Sequence, residues 1–271
     1  MAQNTFHGAH YLADGFRMLT QKGLKRYVLI PLVINLILLS TALILLVSQV
    51  SEWSQWVEQT IASWGAWEWL GTALAWLMWP VVIIGGILFV FFFFAMLANW
   101  IAAPFNGLLA EAVENRLHAA AGNEEKVLPD QGFWALVKDI PRLFGREWTK
   151  LKYYIPRALI CLLILFVPLI GALAFPFIWF IFNAWMMSVQ YVDYPMDNHK
   201  VPFQDMLKAL QQRRGGTFGF GAMVMLMTMI PFINLLVMPA AVCGATKMWY
   251  EHYRQDMLGN TSLNSSLNKR V

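Results

Sequence analysis

Lysine and arginine are missing from the polar stretch at residues 51–69 and from the apolar runs on either side of it. Charge of either sign is scarce throughout, at 13% of 271 positions, where an ordinary soluble domain carries about 25%. With 58% hydrophobic residues, such a chain has the bilayer as its main solvent. The basic residues behind the net charge of +4 flank apolar runs and form no long stripe, so no nucleic-acid partner is expected. Cysteine is nearly absent as well. Cys161 and Cys243 have no Cys-x-x-Cys spacing and no clustered histidine, which offers neither a metal site nor a redox pair. Enzyme signatures are also lacking: there is no Walker A loop, no His-Glu-x-x-His, no Gly-x-Ser-x-Gly and no dinucleotide fingerprint. A primary pump or membrane protease is not expected, and neither is any cofactor or metal. His7 and His10 lie one helical turn apart, but read as part of a solvated interfacial face.

What is present is a set of apolar stretches with basic flanks. Residues 27–50 are long enough to cross a hydrocarbon core of about 30 Å, and no small-residue cleavage site follows them, so this span is expected to stay in the protein. Residues 70–103 exceed what a crossing requires, and bends are expected at Pro80 and at Gly85-Gly86. The connection between them combines Trp53, Trp56, Trp64, Trp67 and Trp69 with Glu52, Glu58 and Glu68. Amphipathic indoles without basic neighbours belong at the headgroup level of the face opposite the lysines and arginines.

Two later stretches, 155–192 and 216–248, are divided by proline. Aligning Pro168 with Pro231 also pairs Ile170 with Ile233, Leu173 with Leu236 and Pro176 with Pro239, the pattern of an internal repeat. Arms of about ten to fifteen residues reach only about 15–22 Å, so each stretch is expected to enter the bilayer and turn back, which keeps every basic residue on one face. Broken backbone at membrane depth must be covered by protein or line a wet cavity, so a homo-oligomer is expected. The expected fold class is an all-α integral membrane protein: two full transmembrane helices, two re-entrant helical hairpins and amphipathic surface helices. Residues 1–258 would form a single membrane domain, with an interfacial helix and basic motif at 1–26, surface helices at 104–154 broken at Pro141, and a disordered tail at 259–271.

The sharpest candidate site is Gly23-Leu24-Lys25-Arg26, immediately before the first span. A permissive glycine, free N–H groups at a helix start and two adjacent cations together suit an oxyanion. Each exposed dipole contributes only about 0.3–1 kcal/mol and a charge-assisted hydrogen bond about 1.5–3 kcal/mol, so Lys25 and Arg26 dominate. Glu111 and Glu114, with Arg116 close by, are candidates for a charged gate or proton-coupling group, and Asn106 joins them as a pore candidate. An ordinary solvated helix face is the alternative reading of these positions.

Four segments together carry a resemblance: Gly8-x-x-Tyr11, Gly23-Leu24-Lys25-Arg26, Pro104-Phe105-Asn106-Gly107-Leu108-Leu109-Ala110-Glu111, and Arg146-Glu147-Trp148. The chain resembles, over nearly its whole length, the CysZ family of bacterial sulfate permeases. The resemblance implies a multi-pass protein of the bacterial inner membrane that admits sulfate for cysteine biosynthesis. It also implies that sulfate is contacted at Gly23, Leu24, Lys25 and Arg26. Lys25 stands where arginine is expected, which puts planar two-toothed recognition there in doubt. A non-transporting membrane scaffold, or a permease for sulfite, thiosulfate or molybdate, is the rival reading.

Overall fold

The computed structural model describes residues 5–21, 23–63, 65, 68–123, 127, 133–168, 170–230 and 233–259. Trp64, Trp67, Leu169, Pro231 and the expected tail from residue 260 onward lie outside them. Among the described residues the regular elements are eight α-helices: α1 Thr5–Leu19, α2 Lys25–Ala62, α3 Glu68–Ala120, α4 Phe133–Ile164, α5 Ile170–Asn198, α6 Phe203–Gln212, α7 Arg214–Thr228 and α8 Asn234–His252. Two compact units result. One comprises Met1–Val28 with Pro104–Val271, the other Leu29–Ala103.

In the second unit, apolar side chains such as Leu36, Ile37, Ile44, Val47, Leu77, Val81 and Phe89 are exposed on α2 and α3. Exposed apolar surface on this scale marks a lipid or protein partner. Lys25–Ala62, Trp69–Val90 and Gly171–Asn198 are long and apolar enough to cross a membrane. The expected connection at 51–69 is largely helical instead, because α2 continues through Trp53 and Trp56 to Ala62. Nothing in Ser51 to Ala62 breaks a helix, as the segment lacks proline and glycine. α3 likewise stays helical through Pro80, Gly85 and Gly86.

The first unit holds the core, and its frame is a pair of turns that repeat bond for bond. Phe166 N donates to the Leu163 carbonyl at 3.1 Å, Val167 N to Ile164 at 3.0 Å, and Gly171 N to Val167 at 2.8 Å. Met229 N donates to Leu226 at 3.2 Å, Ile230 N to Met227 at 3.2 Å, and Asn234 N to Ile230 at 3.0 Å. The registers are those of the Pro168 and Pro231 alignment. Proline disfavours helix in the residue before it, so both helices tighten and stop there. Gly171 is required at the first turn, since a Cβ would run into the Ile164 and Leu165 carbonyls.

α4 and α5 form an antiparallel hairpin about the first turn. Moving away from it, Tyr154 meets Phe182 with ring centroids 5.2 Å apart, Tyr153 accepts from Trp185 Nε1 at 3.2 Å, and Arg142 reaches Asp197 at 2.6 Å. α7 and α8 run antiparallel in the same way, with Thr217 Oγ1 3.1 Å from the Tyr253 hydroxyl and Arg213 3.2 Å from Asp256. The expected short arms hold for α7, at 15 residues, but not for α5, which is 29 residues and unbroken at Pro176 and Pro195. α4 is similarly uninterrupted at Pro141 and Pro156. An interior proline removes one hydrogen bond and kinks a helix without ending it where neighbours hold both sides.

α1 is a core element rather than only a surface anchor. A Cβ on Gly8 would collide with the Gly216 carbonyl of α7, one on Gly15 with Ala240 of α8, and one on Gly244 with the Tyr11 carbonyl. Backbone therefore touches backbone, and Leu12, Val224, Val242 and Trp249 fill the space around it. The Gly8-x-x-Tyr11 motif gains a physical meaning here. Gly8 permits the close approach, and the Tyr11 hydroxyl donates to Glu251 at 2.7 Å while lying 2.6 Å from His252 Nε2. With that proton committed to Glu251, the neutral imidazole must donate from Nε2.

Burial first, and then the Arg213 charge, hold the His252 imidazole below its ordinary pKa; Glu251 opposes them and His7 reinforces them. The unfolded chain therefore binds the proton more readily, and stability falls as pH drops from about 6.5 through the lower folded value. We expect the thermal midpoint in detergent to drop between pH 7.5 and 5.5, and His252→Gln, which keeps a donor for Tyr11, to flatten that drop.

Candidate functional site

The basic motif sits at a sharp joint. Gly23 adopts a left-handed φ of +93°, with open space where a Cβ would be. Leu24 is buried and pins the turn, and α2 begins at Lys25. The first N–H groups of a helix have no partner within it. Lys25 and Arg26 are both exposed beside them. Arg26 donates to the Tyr27 hydroxyl at 2.8 Å and lies over that ring at 4.8 Å, which restricts the guanidinium without neutralising it. The arrangement presents two cations and a positive helix end to solvent, as an oxyanion requires.

The four pore or gate candidates separate. Asn106 is buried and donates to the Tyr194 hydroxyl at 3.2 Å. Glu111 is nearly buried, at 8% exposure, whereas Arg116 is exposed on the other side of the helix. Glu114 is completely buried. It accepts from His199 Nε2 at 2.9 Å and Trp249 Nε1 at 3.2 Å, and Arg254 Nε lies 3.2 Å away without hydrogen-bond alignment. Neither glutamate lies on a solvated helix face.

Sequence reading missed the larger ionic assembly at the base of the α4–α5 hairpin. Arg142 bridges Asp139 and Asp197, while Arg146 contacts Asp193 at 2.6 Å and donates to the Val201 carbonyl at 3.0 Å. Lys150, only 4% exposed, lies between Glu147 and Asp193 and over the Tyr194 ring. Burial pulls the Lys150 ammonium down, and Asp193, Tyr194 and Glu147 together more than reverse this, so it stays protonated. Hydrogen bonds from Arg142 hold the Asp139 carboxyl below its ordinary range against the opposite effect of burial. Through Tyr194 and Asn106, and through Asn198 donating to the Gly107 carbonyl at 2.9 Å, this assembly locks the Pro-Phe-Asn-Gly segment to the hairpin. A signal was available. Arg142, Arg146 and Lys150 recur every fourth residue, as do Asp193 and Asp197, which makes two complementary stripes at helical spacing.

Residues 11–239 match the family model described as Sulfate transporter CysZ/Etoposide-induced protein 2.4. The chain belongs to this family of transporter type, and its apolar helices are those of a membrane protein.

Proposed function

We propose, from that membership, that the chain is a multi-pass inner-membrane permease that passes sulfate toward cysteine biosynthesis and contacts it at Gly23, Leu24, Lys25 and Arg26. The observation that carries this reading is the left-handed Gly23 turn, which leaves the exposed Lys25 and Arg26 at the amino-terminal end of α2. The remaining contact chemistry is electrostatic, since Lys25 offers a point charge rather than a fork.

The bilayer arrangement we favour has two full spans, α2 and α3, and two re-entrant hairpins. Although α5 alone could cross, it is paired with α4, whose Arg157 comes only eleven residues before Pro168, about 17 Å along a helix. A hairpin is no deeper than its shorter apolar arm. Exposed Phe166, Val167 and Phe177 near one turn, and Met229 and Leu235 at the other, suit lipid or a second copy. Covering two such hairpins calls for a homo-oligomer.

A dianion entering a negative interior climbs about 2.3 kcal/mol per charge per 100 mV. Permeation is therefore passive, with rapid consumption inside, or proton-linked. The buried Glu114–His199 pair is the group best placed to carry a proton, since a carboxylate and an imidazole share hydrogen bonds away from water.

Radiolabelled sulfate uptake into liposomes holding the purified chain tests this reading. We expect saturable uptake, reduced at least tenfold by Lys25→Gln/Arg26→Gln with the oligomer intact. Uptake equal to that of empty liposomes would favour a scaffold, and stronger competition by sulfite, thiosulfate or molybdate would reassign the substrate.

A further inference from the structure

A second basic cavity, remote in sequence from the Gly-Leu-Lys-Arg motif, lies between α4 and α6. It has a volume of about 450 Å³ and is lined by Lys152, Arg157 and Lys208, with Thr149, Gln204 and Gln211 supplying neutral polar groups and no carboxylate among the described residues of its wall. That volume falls within the range of small-ligand sites, roughly 300–1,000 Å³. The cations are not consumed by the ionic assembly next door. Arg157 stacks on the Tyr153 ring at 3.7 Å and donates one N–H to the Tyr153 carbonyl at 2.8 Å, which fixes the guanidinium while leaving other N–H groups free of any described partner. Lys152 lies 6.0 Å from the Trp148 ring centre. Lys208 contacts Asp205 at 3.0 Å, but both side chains are exposed, at 71% and 49%, so water screens that pair.

The surroundings set the level of the cavity. Immediately beyond Arg157, α4 turns apolar, and Leu159, Ile160 and Leu163 are exposed, as is Ile155 one turn before. Cations and tyrosine at the start of an exposed apolar helix are the pattern of the headgroup layer.

We propose that this cavity binds a tetrahedral oxyanion, borne by an anionic lipid headgroup or supplied as free sulfate or phosphate. The three cations supply the charge, and the Arg157 fork, held by Tyr153, supplies two-toothed recognition of a kind that Lys25 lacks. The headgroup source depends on the α4 tip entering the bilayer, whereas free-anion binding does not.

The test uses the full chain in nanodiscs of phosphatidylcholine with and without phosphatidylglycerol. Native mass spectrometry reads the retained lipid, and equilibrium binding of radiolabelled sulfate and phosphate is measured in the neutral discs. In the Lys25→Gln/Arg26→Gln background the cavity should still hold phosphatidylglycerol over phosphatidylcholine, or bind the free anion. Adding Lys152→Gln/Arg157→Gln should reduce whichever is seen at least tenfold, as expected for lost charge-assisted hydrogen bonds. Lys152→Arg/Arg157→Lys should restore part of it, and unchanged thermal midpoints should show that the fold survives. Retained phosphatidylglycerol identifies a headgroup site and free-anion binding in neutral discs identifies a solute site. Either result supports the proposal. Equal lipid retention and equal anion binding with and without Lys152→Gln/Arg157→Gln would overturn it. Sulfate flux is not the readout, so failure here is separable from failure of the permease reading.

Discussion

Replacing Asp193 by alanine is expected to lower stability by about 3–5 kcal/mol, because it removes the buried carboxylate that Arg146 and the almost fully buried Lys150 share. Asp193 is 2% exposed, and it faces Arg146 at 2.6 Å and Lys150 at 3.3 Å. Removing one member of a buried ionic group costs more than the group contributes as a whole, since the remaining charges keep their desolvation penalty. The thermal midpoint in detergent should fall by about 6–20 °C, at about 2–4 °C per kcal/mol for a domain of this size. Asp193→Leu with Lys150→Met should recover part of the loss. Recovery would place the penalty in the unpaired charge, whereas no recovery would place it in lost helix packing.

Gly15→Val is expected to be nearly as damaging by a different route. The new Cβ meets the Ala240 carbonyl and Gly244 N of α8, which are backbone atoms that cannot rotate away. α1 must then separate from α8, opening the packing around Leu12 and Trp249. Overpacking costs typically about 1–3 kcal/mol, and contact with rigid backbone puts this site at the upper end. Limited proteolysis near the amino terminus should cut the variant sooner than the parent, while Gly145→Ala, a glycine with open space around it, should leave the pattern unchanged.

These two sites mark the boundary of what the sequence could tell. Proline positions gave both turns, since a residue without an N–H leaves the same signature wherever it stops a helix. The same rule misled at Pro141, where the helix persists because α5 and α4 brace each other. Amphipathic spacing located α1, but an apolar stripe suits a bilayer and a neighbouring helix equally, and only the glycine contacts decide between them. Asp193 and Lys150 are 43 positions apart, and Glu114 and His199 are 85 apart. The α4–α5 hairpin joins the first pair, and only the folded first unit brings α3 and His199 together for the second. The basic motif was legible because all its parts, the glycine, the helix start and the cations, are consecutive.

The proposed membrane path is tested most directly by side-specific labelling. With Cys161 and Cys243 replaced by alanine, single cysteines at Arg17, Glu58 and Lys208, all exposed, can be treated with a membrane-impermeant maleimide in vesicles of known orientation. Arg17→Cys and Lys208→Cys should react from one side and Glu58→Cys from the other. Lys208→Cys reacting with Glu58→Cys, from the side opposite Arg17→Cys, would contradict the hairpins and the single basic face on which the permeation path is built.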